Sequence, residues 1–218
     1  IGYTSAAIVL EEIAAGDAAC STIISVTNSV GCMPIYQFGD EWQKNEFLRP
    51  LASGKKLAAF CLTEPQAGSD AAKLKTKAVL DGNDYVLNGT KQFITSGKNA
   101  DIAIVFAVTD SAAGKKGMSA FIVPTTTPGY IVSSVEEKLG QHASDTCQIV
   151  LKDCRIPSTH RLGEQGQGYK IALANLEGGR IGIAAQCVGI ARAALEAALL
   201  FSKERETFGN PIAKHQSI

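Results

Sequence analysis

The segment CLTEPQAGSD, residues 61–70, carries groups that could hold a neutral polar ring or a diphosphate. Thr63 and Ser69 supply hydroxyl groups, and Gly68 has no side chain to keep a ligand away from the backbone. Donors of this kind, with few fixed charges among them, suit a hydrogen-bonding ring system or the bridging oxygens of a pyrophosphate. If the segment is considered alone, a bulged turn is the favoured explanation of the same residues.

Two later segments offer aromatic and cationic groups for such a ligand. In KQFITSG, Phe93 and Thr95 are two positions apart, so on a strand their side chains point to the same face. In SKERETFGNPI, the side chains of Arg205, Thr207 and Phe208 provide a cation, a hydroxyl and an aromatic ring. Together these three groups could bind a phosphate and stack on a base.

A third segment, NLEGGRIG, places two adjacent glycines, Gly178 and Gly179, inside a helical pattern. Each glycine costs a helix interior about 1 kcal/mol relative to alanine. A cost of this size indicates that another group must approach the helix backbone at this point.

The sequence lacks the patterns of several other catalytic classes. No GxSxG sequence marks a serine esterase, and the glycines of GEQGQGYK do not follow the dinucleotide-binding GxGxxG order. The three histidines lack zinc-site spacing, so no metal site is predicted. The six cysteines form no CxxC pair, which predicts reduced thiols in an intracellular protein.

The composition is that of an ordinary globular protein of one or two domains. The 218 residues include 21 Lys and Arg against 21 Asp and Glu, and 45% are hydrophobic. A formal net charge of zero gives no support for a nucleic-acid partner or an anionic membrane. No uninterrupted apolar run approaches the roughly 20 residues that span a bilayer.

The hydrophobic pattern divides the chain into three blocks. Residues 1–53 follow a helical period, with Asp17 and Asp40 as predicted N-caps. Residues 57–156 follow a period of two, as strands do. From Gly168 onward the pattern is helical again, with one apolar stripe. The stripe consists of Ile181, Ala184, Val188, Ala191, Leu195 and Leu199.

The middle block is predicted to form several short antiparallel strands. Asp81-Gly82-Asn83 indicates a hairpin between residues 75–80 and 85–88, and Asn88-Gly89 predicts a second tight turn. Further strands are predicted at Ile102–Val108, Met118–Pro124 and 147–156. Such strands suggest a small barrel or sandwich. Helix, sheet and helix in segregated blocks predict an α+β fold and argue against a Rossmann unit.

The succession CLTEPQAGSD, LNGTKQFITSG, LEGGRIGIAAQCVGIARAALEAA and ERETFGNPI resembles the flavin-dependent acyl-CoA dehydrogenases, in their order and spacing, over nearly the whole chain. The resemblance implies the end of an N-terminal helical domain at 1–55 and a middle β-domain at 56–160. The first part of a C-terminal helical bundle is implied at 161–218, in a chain truncated at both ends.

The resemblance also implies FAD as the cofactor. The position of Thr63 bonds the isoalloxazine ring in the family, that of Ser69 lies near the diphosphate and the CoA ester, and that of Thr95 bonds near flavin N5. Phe93 stands where many members have a Trp beside the flavin. The implied cofactor-binding residues are Phe60, Leu62, Thr63, Gly68, Ser69, Phe93, Ile94, Thr95, Arg205, Thr207, Phe208 and Gln216. The last four match positions that reach the FAD of a neighbouring subunit, which implies a homotetramer built as a dimer of dimers.

For the substrate, the resemblance implies contacts from Ser69, Glu177 and Arg180 to the CoA ester. Some members carry the catalytic base immediately before this Arg, but here that position is Gly179. The base, a Glu, is therefore expected beyond residue 218, and no catalytic residue is assigned within the chain. Glu64 is expected to be structural. Gly179 favours short or short branched saturated esters.

The implied activity is α,β-dehydrogenation of an acyl-CoA, with electrons passed to an electron-transfer flavoprotein. An acyl-CoA oxidase that uses oxygen, and a paralogue that binds flavin or CoA esters without turnover, are the alternatives. Neither a membrane nor a nucleic acid is expected as a partner. The protein is expected in the cytoplasm if it is bacterial and in the mitochondrial matrix if it is eukaryotic.

Overall fold

The computed structural model describes residues 2–216. Residues 1, 217 and 218, at the outer ends of the predicted first and third domains, lie outside this range. The first block is helical, as predicted. Its elements are α1 (Tyr3–Gly16), α2 (Ala18–Val26), a π-helical turn (Thr27–Cys32), α3 (Met33–Phe38), α4 (Glu41–Gln43), a second π-helical turn (Lys44–Leu48) and α5 (Arg49–Ala52).

Both predicted N-caps are confirmed. The Asp17 carboxylate accepts a hydrogen bond from the Cys20 backbone N–H at 2.9 Å, at the start of α2. Asp40 and Gln43 form a reciprocal capping box at the start of α4, with the Gln43 N–H donating to Asp40 Oδ1 at 2.7 Å. These short polar side chains fix where two helices begin.

The middle block forms an eight-stranded mixed sheet in the order β6-β7-β3-β2-β4-β5-β8, with β1 paired to β4. Its strands are β1 (Ala58–Cys61), β2 (Lys77–Asp81), β3 (Asp84–Thr95), β4 (Ile102–Val108), β5 (Met118–Pro124), β6 (Tyr130–Val135), β7 (Thr146–Pro157) and β8 (Arg161–Leu162). The α+β fold class is confirmed. Most pairings are antiparallel, but β1 and β2 each run parallel to β4.

The hairpin between β2 and β3 is confirmed, whereas the second turn predicted at Asn88-Gly89 is wrong. β3 continues through these residues with a bulge in its pairing to β7. The glycine is needed for close packing, since a Cβ at Gly89 would lie 2.6 Å from the Thr76 Cα. That contact is tertiary, so the local turn signal at this dipeptide is misleading.

Strand β4 separates two buried clusters. Ile102, Ile104 and Phe106 face the cluster that the helical layer covers, and the alternate residues face the cluster shared with β3 and β7. Both faces of the strand are therefore buried, which explains its unbroken apolar sequence. The second cluster lies between parts of one sheet, consistent with the predicted small sandwich.

The last block is one long helix, α6 (Gly168–Glu204), followed by a two-stranded hairpin of β9 (Glu206–Thr207) and β10 (Asn210–Pro211). The helix packs on α1 and α2 through small residues. A Cβ at Gly189 would lie 2.1 Å from the Glu11 carbonyl oxygen, and one at Gly182 would lie 2.7 Å from Ser25 Oγ. The predicted apolar stripe faces away from these contacts and is exposed.

Two helical runs, Ala18–Phe38 and Gly168–Glu204, are long and apolar enough on average to cross a membrane by length and composition. Half of the most apolar stretch of the first run is buried inside the protein, as expected of a core helix. The second run packs its glycine face on α1. Helices that pack within a protein share this length and composition, so these features alone do not indicate a membrane segment.

Candidate functional site

A cavity of about 570 Å³ lies where the helical layer, the sheet and α6 meet. It is lined by Ser25, Val26, Ser29, Val30, Phe60, Phe93, Thr95, Leu176, Gly179, Arg180, Ile183 and Ala184. A smaller depression of about 270 Å³, lined by residues from Val135 to Asp145, contains none of the predicted site residues. The larger cavity is therefore the candidate site.

The cavity brings together residues from two separate sequence motifs and from strand β1. Phe60 comes from the end of β1, Phe93 and Thr95 from the end of β3, and Gly179 and Arg180 from α6. Thr95 and Gly179 are 84 positions apart in the sequence. Most of the remaining lining is aliphatic, with a few hydroxyl groups, as is usual for a site that holds an organic ligand.

The π-helical turn Thr27–Cys32 supplies the wall opposite the strands. A single π turn shifts the side chains that follow it relative to an α-helix, and such turns are frequent at functional sites. Here Ser29 and Val30 line the cavity, while Gly31 packs on the sheet. A Cβ at Gly31 would lie 2.4 Å from the Ala58 Cβ, so glycine permits the close approach of this wall to β1.

Phe93 is held in a conformation that presents its ring to the cavity. Its φ is 58°, in the left-handed region, and the pairing of β3 with β7 shifts register between Lys91 and Ile94. The residue is 63% exposed, although it lies on β3 between the buried residues Lys91 and Ile94. A strained backbone that exposes a phenyl ring beside a cavity suits the stacking of a flat ligand. Thr95 lines the same cavity, as its spacing from Phe93 predicts.

The first motif forms a tight turn at the edge of the sheet. Glu64 and Ala67 exchange two backbone hydrogen bonds of 3.0 Å, and the Thr63 carbonyl accepts from the Gln92 N–H at 2.9 Å. Gly68 and Ser69 are exposed, and nothing lies within 4 Å of a Cβ placed on Gly68. The turn therefore leaves open backbone near the strand that carries Phe93.

Not every predicted cofactor residue offers its side chain. Leu62 and Ile94 are buried in the two hydrophobic clusters, so only their backbone groups are available to a ligand. Thr63 is half-buried. These residues, together with Gly68 and Ser69, do not line the cavity itself. Their assignment to the cofactor stays a prediction.

A buried ion pair beneath the first two motifs was not foreseen. Lys91 Nζ lies 2.8 Å from Glu64 Oε1, and both side chains are almost fully buried. Burial alone would raise the pKa of Glu64, but the Lys91 ammonium and donors on Thr76 and Lys75 outweigh it and lower that pKa. The sequence did contain a signal, because Tyr85, Leu87 and Lys91 fall on one face of β3 by their period of two.

The two glycines of α6 have different surroundings. A Cβ at Gly178 would lie 2.9 Å from the Tyr3 hydroxyl, whereas one at Gly179 would meet nothing closer than 3.8 Å. Gly178 therefore permits the approach of another element, as its helical position predicts. Gly179 instead leaves open space inside the cavity. Glu177, which immediately precedes Gly178 on the helix, is exposed and does not line the cavity.

The hairpin after α6 lies outside the cavity. Phe208 and Gly209 form its two-residue loop with positive φ values, and Phe208 is 96% exposed. The Thr207 hydroxyl lies 2.9 Å from His215 Nε2, while Arg205 and Gln216 are exposed. Within this chain, therefore, these four predicted cofactor residues do not join the others.

The cavity contains no candidate general base among the described residues. No Asp, Glu or His from 2–216 lines it, and Arg180 is the one charged residue of that lining. The same part of the chain contains no cluster of His, Cys, Asp and Glu that could hold a metal ion. In the part of the chain that the structure describes, the lining thus offers groups that suit ligand binding but no carboxylate or imidazole that could accept a proton.

Comparison with known families assigns each block. Residues 1–55 match the acyl-CoA dehydrogenase N-terminal domain, residues 59–154 match the middle domain, and residues 166–218 match the C-terminal domain. The chain belongs to the acyl-CoA dehydrogenase family. The family places the helical wall, the sheet and α6 in three consecutive domains, and the cavity lies between all three.

Curated members of the family are close in sequence. The short-chain specific acyl-CoA dehydrogenase of Megasphaera elsdenii is 50% identical over 96% of this chain and 55% of its own length. The human mitochondrial short-chain specific enzyme is 46% identical over the whole chain and 53% of its own length. The chain thus spans about half the length of the curated relatives it matches.

Solved structures of the family superpose closely. Butyryl-CoA dehydrogenase from Megasphaera elsdenii has a TM-score of 0.92 and 49% identity, over 95% of this chain and 55% of that one. A structure described as the electron transferring flavoprotein of Acidaminococcus fermentans has a TM-score of 0.93 and 48% sequence identity, over 95% of this chain and 55% of that one. A glutaryl-CoA dehydrogenase from Mycobacterium smegmatis in complex with FADH2 has a TM-score of 0.92 and 38% sequence identity, over 99% of this chain and 54% of that one.

Proposed function

We propose that the protein containing this chain is an FAD-dependent acyl-CoA dehydrogenase that acts on short or short branched saturated acyl-CoA thioesters. The observation that carries the proposal is the cavity itself, because two separate motifs of the family contribute Phe93, Thr95 and Arg180 to one lining, beside Phe60 of β1. Relatives that are 46–50% identical are named short-chain specific acyl-CoA dehydrogenases, which supports the substrate class.

The residues around the cavity fit a flavin. Phe93 offers an exposed ring for stacking, Thr95 offers a hydroxyl beside it, and the open backbone near Gly68 suits a diphosphate. When bound, FAD supplies the acceptor for the hydride that leaves the substrate β-carbon. The chain's own residues orient the ring and exclude water from one of its faces. Leu62 and Ile94 would contribute backbone groups alone, because their side chains are buried.

The acyl chain is proposed to occupy the aliphatic part of the same cavity. Val26, Val30 and Ile183 line this part, and Gly179 leaves the space between them open. Arg180 is suited to the CoA portion, since a guanidinium pairs with phosphate and carbonyl oxygens. Ser69 and Glu177 are proposed to contact the same portion.

The catalytic base is proposed to come from a Glu beyond residue 218. The cavity lining in the described part of the chain has no carboxylate, and Gly179 stands at the helix position where some members carry one. Removal of the α-proton requires a base within hydrogen-bond reach and with a tuned pKa. Residues 2–216 therefore supply positioning and binding, and the proton acceptor arrives from another segment.

The partners are proposed by the same reasoning. An electron-transfer flavoprotein is the proposed acceptor, supported by the similarity to a structure described by that partner's name. A homotetramer is proposed because Arg205, Thr207, Phe208 and Gln216 lie outside the cavity of their own chain, free to reach a neighbour's cofactor. Bacterial and mitochondrial relatives both exist, so the proposed compartment is the cytoplasm of a bacterium or the mitochondrial matrix.

The proposal is tested by the visible spectrum of the purified full-length protein. Bound flavin whose absorbance bleaches on anaerobic addition of butyryl-CoA would support the dehydrogenase half-reaction. Rapid reoxidation by air would instead identify an oxidase. Bound flavin that stays oxidised with butyryl-CoA and with branched and longer esters would identify a binding paralogue. A folded protein without flavin would overturn the proposal.

A matched pair of variants tests the role of the cavity. Thr95→Val removes a hydroxyl that lines the cavity and is expected to weaken FAD binding about tenfold. Thr109→Val removes a hydroxyl that bonds Gly117 and Ser119 elsewhere in the sheet, and FAD binding is expected to stay unchanged. Equal losses in the two variants would contradict the placement of the flavin.

A further inference from the structure

We propose that the buried Glu64–Lys91 ion pair positions the cofactor-binding turn against the strand that carries Phe93, and that FAD affinity depends on it. The inference rests on the proposed function, since it assigns these two residues a role toward the flavin. Neither residue touches the cavity, so both are positioning residues.

The pair joins three chain segments that are otherwise separate. Lys91 Nζ, on β3, donates to Glu64 Oε1 at 2.8 Å and to the Leu62 carbonyl at 3.2 Å. The carboxylate also accepts from the backbone N–H groups of Lys75 at 2.7 Å and Thr76 at 3.1 Å. One ammonium and one carboxylate therefore hold the first motif, the segment before β2, and β3 together.

The pair acts beside the two predicted flavin motifs. Thr63 lies between the two residues that Lys91 contacts, and Phe93 lies two positions after Lys91 on the same strand. The Gln92 N–H donates to the Thr63 carbonyl at 2.9 Å, which ties the two motifs directly. A shift of the Lys91 ammonium would thus move both the turn and the strained Phe93 backbone.

The burial of the pair indicates that it does more than stabilise the fold. Well-packed apolar side chains would often be as stable as a buried ion pair of the same volume. What the pair supplies is fixed geometry, because five hydrogen bonds at one carboxylate and one ammonium define the positions of the groups that donate and accept them. A site that must hold a rigid ring benefits from such a support.

The test compares variants of the full-length protein by two measurements, FAD affinity from flavin fluorescence and the urea unfolding of the apoprotein. Lys91→Met removes the ammonium, and the double variant Glu64→Gln/Lys91→Met removes both charges, so that no unpaired charge remains buried. Leu87→Ala is the control, since Leu87 is a buried residue on the same strand, four positions before Lys91 and outside the segments 61–70 and 91–97.

Both ion-pair variants are expected to bind FAD at least about tenfold more weakly than the wild type. Leu87→Ala is expected to lower the unfolding stability but to keep FAD affinity within about twofold. If Lys91→Met does not fold, the FAD affinity of the double variant alone is compared with that of the wild type. Wild-type affinity in the double variant, or an equal loss of affinity in Leu87→Ala, would overturn the inference.

The same experiment separates this inference from the proposed function. A wild-type protein that binds FAD, with variants that bind it equally well, overturns the positioning role alone. A folded wild-type protein that binds no FAD overturns the proposed function and the inference together.

Discussion

Strand β4 and the second half of α6 have similarly apolar sequences but opposite surroundings. IAIVFAV is buried on both faces between two clusters, with most of its side chains at 0% exposure. Leu195, Leu199 and Phe201 on α6 are each more than half exposed. The difference shows that apolar composition predicts where burial is needed, whereas the presence of a packing partner decides whether it occurs.

The ion pairs of the sheet and of α6 also differ in burial. The sheet buries a complete ion pair, and its carboxylate is lined by backbone donors. On α6, Arg192 pairs with Glu12 at 2.8 Å at the surface of the helix contact. The sheet therefore depends on each buried group, while the helix tolerates exchange on its open face.

The largest effect is expected from a cavity in the sheet. Phe121 is fully buried and its ring lies 4.9 Å from that of Tyr85. Phe121→Ala is expected to lower the free energy of unfolding by about 3–5 kcal/mol, because both the buried area and the packing are lost. Urea unfolding followed by circular dichroism measures this. A loss below about 1 kcal/mol would show that the core collapses around the missing ring.

A smaller loss is expected where α6 touches α1. Gly189→Ala places a Cβ 2.1 Å from the Glu11 carbonyl oxygen, so the helices must separate, at a cost of about 1–3 kcal/mol. Gly179→Ala is the matched control on the same helix, where nothing lies closer than 3.8 Å. That control is expected to gain up to about 1 kcal/mol from helix propensity. Equal effects in both variants would mean that the helix contact is loose.

The buried pair is expected to make the stability depend on acid pH. The native state lowers the pKa of Glu64, so its contribution is present above the unfolded value, near 4.5, and is lost as the pH falls through the native value. Urea midpoints measured from pH 6 to pH 3 test this. Glu64→Gln is expected to flatten that profile, and an equally steep profile in the variant would assign the acid sensitivity to other carboxylates.

The smallest effect is expected on the open face of α6. Leu199→Ser in this chain replaces an exposed apolar side chain, so the free energy of unfolding is expected to change by less than about 0.5 kcal/mol. Sedimentation of the same samples reports any association through this face. A loss above about 1.5 kcal/mol would show that the stripe is covered in solution.

Local signals predicted much of the fold. Asp17 and Asp40 were recognised as N-caps, and IAIVFAV as a strand, because each depends on neighbouring residues and on a period of two or 3.6. The turn predicted at Asn88-Gly89 failed because the glycine serves a contact with Thr76, thirteen positions before it. Contacts of this kind leave no local trace in the sequence.

The sequence predicts several residues of the site but not their arrangement in space. The cavity joins Phe93, Thr95 and Arg180, yet nothing local indicates that a π-helical turn forms the opposite wall. The sequence pattern does not predict a buried ion pair at Lys91, because lysine is rarely buried and its partner Glu64 lies 27 positions away. Phe93 was placed on a regular strand, whereas a bulge turns its backbone to a positive φ.

The packing of α1 on α6 can form only late in synthesis, because the ribosome makes α6 after all of the preceding elements. The contact between Glu12 and Arg192 can form only after Arg192, which lies 180 positions later, has been synthesised. At usual rates of synthesis, about 5–20 residues per second, that delay is roughly 10–35 s. During this interval the nascent helices α1 and α2 expose the face that the glycines of α6 will later cover. A slowly translated message would lengthen their exposure to chaperones and proteases.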